Sequence, residues 1–237
     1  MTYLLYLFGF IPSAIWLAFY LRKDKHPEPN KMIIKIFFLG MGSALLAVFL
    51  ERGIQETANL FIASFSRNSL FAIFLGGALI EEYLKYVVVK AGVFKNAELD
   101  EPTDLVLYMI ISALGFAALE NILVLTNYHP ILTSAKAIEI MGLRFISATF
   151  LHALCSGLLG YFIALSFYNI KRQKVYFTLG LFLTVVLHGA YNWSIMNMSG
   201  ASRFYLPILI IAGLGCFISF AFDRLKKSKG ACLIYES

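Results

Sequence analysis

Charged residues are scarce in this chain of 237 residues, since they make up 14% of it while hydrophobic residues make up 59%. A soluble domain is roughly half apolar and about one quarter charged. The composition therefore excludes an ordinary soluble enzyme, a disordered chain and a nucleic-acid-binding domain. Together with a mean hydropathy of +0.75, it indicates a polytopic membrane protein.

Cysteine is also rare, and Cys155, Cys216 and Cys232 do not have the spacing of metal ligands. We expect free thiols without a disulfide framework. The sequence has no polar stretch long enough for a soluble domain, no internal repeat and no low-complexity tract. Residues 1–237 are therefore predicted to form a single integral membrane domain.

Seven segments are apolar over the length of about 20 residues that a spanning helix needs. They are residues 3–21, 32–50, 70–94, 105–127, 142–169, 175–196 and 204–222. The first segment lacks a basic N-terminal region and is too long for a signal peptide, so it is predicted to be retained. The expected fold is an all-α bundle of about seven transmembrane helices.

The basic residues predict the orientation of this bundle, because cytoplasmic loops are enriched in Lys and Arg. Fourteen of the twenty basic residues lie in or next to alternate connections between the spans and in the C-terminal tail, which seven spans place on the same side of the membrane. They are Arg22, Lys23, Lys25, Lys31, Lys35, Lys90, Lys95, Lys171, Arg172, Lys174, Arg224, Lys226, Lys227 and Lys229. Seven spans then place the N-terminus outside and the C-terminus in the cytoplasm. The net charge of +6 is explained by topology, and the lipid bilayer rather than nucleic acid is the expected partner.

Ionisable side chains are costly within a bilayer, and those that occur there usually serve a function. Near the centres of the predicted segments they occur only in the four consecutive segments between about residues 70 and 198. The polar residues singled out in these four segments are Glu81, Glu82, Lys85, Glu120, Asn121, His152, Ser156, His188 and Asn192. They lie on faces of small residues at i, i+3, i+4 spacing, which predicts that they point into the bundle. The segments 3–21, 32–50 and 204–222 are predicted to be scaffold.

Carboxylates and imidazoles in one buried cluster are suited to activating water. In one chemistry a Glu is the general base, while His188 and Asn192 bind the developing oxyanion without a cofactor. In the other, zinc is bound by His152, His188 and Glu120, with Glu81 or Glu82 as the base on the metal-bound water. The metal-free chemistry is favoured, because Asn192 has no role in the zinc site.

The same polar residues are compatible with other functions. A secondary transporter or proton-coupled permease also places Glu and His near the bilayer midplane as a relay. The sequence has no inverted repeat, and its N-terminal segments lack matching polar breaks, which argues against transport. A receptor or assembly factor with a structural polar core is a third class.

Four short motifs follow one another on successive predicted helices: Glu81-Glu82-x-x-Lys85, Phe116-x-x-x-Glu120-Asn121, His152-x-x-x-Ser156 and His188-x-x-x-Asn192. This ordered set resembles the PrsW family of intramembrane proteases, which is related to the type II CAAX prenyl proteases. The resemblance implies a multi-pass peptidase of the bacterial cytoplasmic membrane. Its implied substrate is a membrane-anchored anti-sigma factor, which it would cut at site 1, on the extracytoplasmic side.

The resemblance also implies roles for individual residues. The implied catalytic set is Glu81, Glu82, Glu120, His152, His188 and Asn192, and the implied supporting set is Lys85, Asn121 and Ser156. Lys85 comes one residue earlier than the corresponding Arg of the prenyl proteases, and Glu120 stands where they have His. Both departures point to the PrsW branch.

The adjacent carboxylates are two candidates for the general base. Glu81 is spaced i,i+4 from Lys85, a favourable pairing that would leave Glu82 as the base. The family pattern instead makes the first Glu the base. We therefore expect Glu81 to be the base and both residues to be essential.

Overall fold

The computed structural model describes residues 6–24, 26–62, 66–96, 98–128 and 131–227. These residues form eight α-helices and no strand: α1 (Phe10–Leu21), α2 (Asn30–Phe61), α3 (Leu79–Gly92), α4 (Pro102–Thr126), α5 (Ser134–Ile146), α6 (Ala148–Tyr168), α7 (Gln173–Asn197) and α8 (Ser202–Lys227). A π-helical segment, Ala72–Ala78, leads into α3. Short 3-10 turns, Tyr6–Gly9 and Ile170–Arg172, precede α1 and α7. The predicted all-α fold is confirmed.

Five helical stretches of the described chain are long and apolar enough to cross a membrane: Asn30–Phe61, Pro102–Thr126, Ser134–Tyr168, Ile170–Asn197 and Ser202–Lys227. They correspond to five of the seven predicted segments, and Tyr6–Leu21 is a shorter apolar helix. The predicted segment 70–94 is helical as far as Gly92 but carries several charges. A helical membrane bundle is confirmed, while the seven spans and their orientation stay predictions.

The free thiols are confirmed for a buried Cys155 and an exposed Cys216. Some residues used in the predictions lie outside the described part of the chain. They are residues 3–5 of the first segment, Lys25, Lys229 and Cys232.

Two stretches between the predicted segments are helical in large part. Helix α2 continues to Phe61, so the predicted segment 32–50 ends eleven residues too early. Helix α5 occupies much of the stretch 128–141, and the Thr133 hydroxyl accepts a hydrogen bond from the Lys136 amide at its start. A break at Ser147 then separates α5 from α6 within the predicted segment 142–169. Both errors arise because polar residues were taken to end a helix, whereas an amphipathic helix continues through them.

Helix α4 lies at the centre of the bundle, because residues 102–118 are all buried and it packs most extensively against α6 and α2. It begins at a capping box between Glu101 and Asp104. At the crossing with α2, a Cβ on Gly115 would meet the Phe37 backbone, and one on Gly40 would meet the Ser112 backbone. Glycine at this crossing therefore lets the two helices approach until their backbones touch.

We predict that Gly115→Ala lowers the thermal stability of the protein, because the added methyl group overlaps the Phe37 carbonyl. Overpacking of a tight core typically costs about 1–3 kcal/mol. The measurement is the midpoint of thermal unfolding in detergent. Gly42→Ala is the matched control on α2, since nothing lies within 4 Å of its added Cβ. Equal midpoints for the two variants would contradict the close approach.

Candidate active site

The described helices bring the predicted polar residues together in one cluster. Helix α3 contributes the two adjacent carboxylates and Lys85, and α4 contributes Glu120 and Asn121. Helices α6 and α7 contribute the two imidazoles. The cluster therefore draws on all four motifs of the sequence.

Glu82 is fully buried and has partners on both carboxylate oxygens. Its Oε1 lies 2.7 Å from Nζ of Lys85 and 2.9 Å from Nδ1 of His188. Its Oε2 accepts a hydrogen bond of 2.7 Å from the Ser156 hydroxyl. This carboxylate joins α3 to α6 and α7, and its bonds leave it poorly placed to take a proton from water.

Lys85 is the buried cation at the centre of the cluster. Besides Glu82, its Nζ lies 2.8 Å from Nδ1 of His152 and 3.6 Å from Oε2 of Glu81. The ammonium also lies 4.3 Å from the centroid of the Phe116 ring, within the range of a cation–π contact. Phe116 of the second motif thus packs directly against the charged centre.

Glu81 is the carboxylate that faces the open part of the site. Its Oε2 accepts no hydrogen bond from any described residue. The same oxygen lies 3.8 Å from Nδ1 of His152 and 3.8 Å from Nε2 of His188. The adjacent glutamates therefore differ in environment, because successive side chains of a helix point about 100° apart.

Each imidazole has one nitrogen towards Glu81 and the other on a different carboxylate. Nε2 of His152 lies 2.7 Å from Oε2 of Glu120, and Nδ1 of His188 faces Glu82. An ammonium can only donate, so Nδ1 of His152 accepts from Lys85 and its Nε2 carries the proton. Since a carboxylate can only accept, Nδ1 of His188 carries a proton as well.

Arg144, at the end of α5, is a member of the cluster that sequence reasoning missed. One of its terminal nitrogens lies 3.1 Å from Oε1 of Glu120, and its Nε donates to Oδ1 of Asn121 at 2.5 Å. Asn121 in turn donates to the Gly9 carbonyl and to the Thr149 hydroxyl. The signal was present in the sequence, because three carboxylates with a single lysine require a further cation nearby.

A cavity of about 290 Å³ opens beside Glu81. Asn192, one turn beyond His188 on α7, lines the same cavity. Three polar residues that sequence reasoning did not assign to the site, Glu51, Arg52 and Arg67, also line it. Glu51 and Arg52 were missed because the second segment was predicted to end at residue 50, whereas α2 continues to Phe61 and carries both residues on to the cavity.

Three side chains of the cluster fit a metal ion. Donor atoms of Glu81, His152 and His188 lie within 4.8 Å of one another. The outer nitrogen of each imidazole, which is the one that faces away from Glu81, contacts a carboxylate. Metal-bound histidines are usually supported by a contact of this kind. Glu120, the third ligand predicted from the sequence, lies instead on the outer nitrogen of His152.

We predict that the adjacent glutamates differ in their contribution to stability. Glu82→Gln removes a negative charge and leaves the buried Lys85 without its nearest partner, a change that typically costs about 3–5 kcal/mol. Glu81→Gln keeps that ion pair, so its unfolding midpoint should stay close to that of the unsubstituted protein. Thermal unfolding in detergent measures both variants. A larger loss for Glu81→Gln would contradict the assigned environments.

The chain is similar to a protein family and to several known proteins. Residues 28–218 match a family described as PrsW family intramembrane metalloprotease. A Protease PrsW of Oceanobacillus iheyensis is 28% identical over 95% of this chain and 96% of its own length. A Protease PrsW of Geobacillus kaustophilus is 30% identical over 94% of this chain and 91% of its own, and that of Bacillus subtilis is 28% identical over 85% and 87%.

No solved structure matches the chain. The family match covers most of the sequence, including all four motifs and the clustered residues. It identifies an enzyme that cleaves proteins within the membrane and thus favours a protease over the transporter considered above. The chain belongs to the PrsW family of intramembrane proteases.

Proposed function

We propose that this membrane protease makes the site-1 cut in a membrane-anchored anti-sigma factor, on the extracytoplasmic side of a bacterial cytoplasmic membrane. The observation that supports a cut on this side is the lining of the cavity. Arg52, Gln55 and Arg67 line it together with Glu81, and they belong to the segment 51–69 that the distribution of Lys and Arg assigns to the outside. The resemblance of the four motifs to the PrsW family supports an anti-sigma factor as the substrate.

Glu81 is the residue that we propose as the proton acceptor for the attacking water. It faces the cavity and has an oxygen without a hydrogen bond, whereas Glu82 is saturated by Lys85, His188 and Ser156. A positioned carboxylate of this kind contributes about 10²–10⁴-fold to a hydrolysis rate. The proton then passes to the amine of the departing peptide, and Asn192 donates to the carbonyl oxygen as negative charge develops.

The protonation of His188 distinguishes the two chemistries considered for this site. With its Nδ1 proton directed at Glu82, a neutral ring has a lone pair on Nε2, the nitrogen nearer to Glu81. A lone pair binds a metal ion but cannot donate to an oxyanion. An oxyanion role for His188 therefore requires a doubly protonated ring, while a role as metal ligand requires a neutral one.

We therefore infer that Glu81, His152 and His188 hold a divalent metal ion, and the metal-free centre favoured by the sequence is the alternative. When bound, such an ion polarises the scissile carbonyl and lowers the pKa of a coordinated water to about 7. Of the two oxygens of Glu81, one serves as ligand and the other remains to accept a proton. Lys85 keeps its pairing with Glu82 but has to release Nδ1 of His152, because that nitrogen has a single lone pair.

We predict about one equivalent of zinc or another divalent metal in the purified protein, from the number of ligands that the cluster offers. His188→Ala should lose most of the metal together with the activity, because it removes a ligand. Metal analysis and cleavage assays before and after chelation and metal return are the measurements. Full activity in strong chelator, with no metal bound, would instead support the metal-free centre.

The proposed substrate is tested by reconstituting the purified protein in liposomes with a single-span anti-sigma factor. We expect one cut, mapped by mass spectrometry to the extracytoplasmic side, and a loss of about 10²–10⁴-fold for Glu81→Gln. An unrelated single-span protein is the control and should stay intact. A cut in the cytoplasmic half would overturn the orientation and the site together, and equal cleavage of both proteins would overturn the substrate.

A further inference from the structure

Two adjacent glycines, Gly76 and Gly77, line the cavity that contains Glu81. They belong to the π-helical segment Ala72–Ala78, directly before α3. Gly77 precedes Glu81 by four residues, about one turn of helix. Both glycines therefore lie beside the proposed proton acceptor.

Helix packing does not explain these glycines. A Cβ on Gly76 would find its nearest neighbour at 3.8 Å, on Ile54, and one on Gly77 at 3.6 Å, on the Ala72 carbonyl. These are ordinary van der Waals separations, so an alanine methyl group fits without moving the surrounding helices. By contrast, a Cβ on Gly189 would overlap the Phe74 ring. Glycine is less favourable than alanine in the interior of a helix, so two glycines in succession need a reason.

The rest of the lining shows what the space beside the glycines accepts. Apolar side chains of three different elements surround it, Ile54 from α2, Ile73 from the π-helical segment and Met196 from α7. Polar groups line the same cavity, among them Glu81 and Asn192 of the site and Arg52 and Arg67 of residues 51–69. The part of the space that the three apolar side chains line is suited to an apolar side chain of the substrate.

We propose that Gly76 and Gly77 form one wall of a substrate subsite, which accepts a large apolar side chain next to the scissile bond. The proposal rests on the proposed function of the same cavity. Because the two glycines have no side chains, an extended substrate segment reaches Glu81. The other lining side chains, Ile54, Ile73 and Met196, limit the size of the substrate side chain that the subsite accepts. The subsite thus makes the protease select substrates by the volume of one residue.

The experiment compares cleavage of two substrates that differ at one position. The cut made by the unsubstituted protein is first mapped, and the apolar residue nearest to it is changed from Leu to Ala. We expect kcat/KM to favour the Leu substrate in the unsubstituted protein. Gly77→Leu fills the space, so it should shift the ratio of the two kcat/KM values by about tenfold or more towards the Ala substrate.

Gly53→Leu is the matched control. Gly53 lies on α2 between two residues that line the cavity but does not line it itself, and nothing lies within 4 Å of an added Cβ. This variant should keep the ratio of the unsubstituted protein. Gly77→Ala is a graded variant, and it should give a smaller shift in the same direction, which keeps the test valid if leucine abolishes all cleavage.

The outcomes separate the subsite from the function on which it rests. If the unsubstituted protein cuts neither substrate, or if Glu81→Gln cuts both normally, the proposed function of the cavity fails. If the unsubstituted protein cuts, Glu81→Gln does not, and neither Gly77 variant changes the ratio, the subsite is overturned while the function stands. An equal shift in Gly53→Leu would also overturn it.

Discussion

The buried ion pair between Lys85 and Glu82 is the interaction on which the rest of the site depends. An isolated ammonium or carboxylate in the interior is very costly, so both charges are retained only because each has several partners. The pair contacts His152 through Lys85, and His188 and Ser156 through Glu82. One ion pair on α3 therefore connects that helix to α6 and α7.

Two carboxylate–cation pairs hold the two imidazoles. Glu82 and Lys85 hold His188, while Glu120 and Arg144 hold His152. Each imidazole thus has its outer nitrogen fixed by a charged group, and its inner nitrogen points to the same place. Such outer contacts fix the orientation of a histidine ring, as they do for histidines that bind a metal ion.

Glu81 differs from this arrangement because it is left without a partner of its own. Its nearest cation is Lys85 at 3.6 Å, beyond the distance of a hydrogen bond. Its side chain lines the cavity, and its Oε2 accepts no hydrogen bond from the described residues. This environment is why we propose Glu81, among several acidic residues, as the one that reacts with water.

The sequence by itself determined the all-α membrane bundle, the four helices that carry the site and most residues of the cluster. Spans follow from runs of apolar residues, and a charged residue within such a run is too costly to lie anywhere but inside the protein. These inferences need only one helix at a time, and the motifs around Glu81, His152 and His188 could be found in this way.

Only the tertiary structure decided how these residues pair. Lys85 is spaced for both Glu81 and Glu82, and it lies closer to Glu82 because His188 and Ser156, 106 and 74 residues away, orient that carboxylate. Glu51 lines the cavity because α2 continues past the apolar segment 32–50, and Arg144 reaches Glu120 from the end of α5. Partner choice depends on the distances between helices. Packing of the whole bundle sets those distances, and the order of residues along one helix does not contain them.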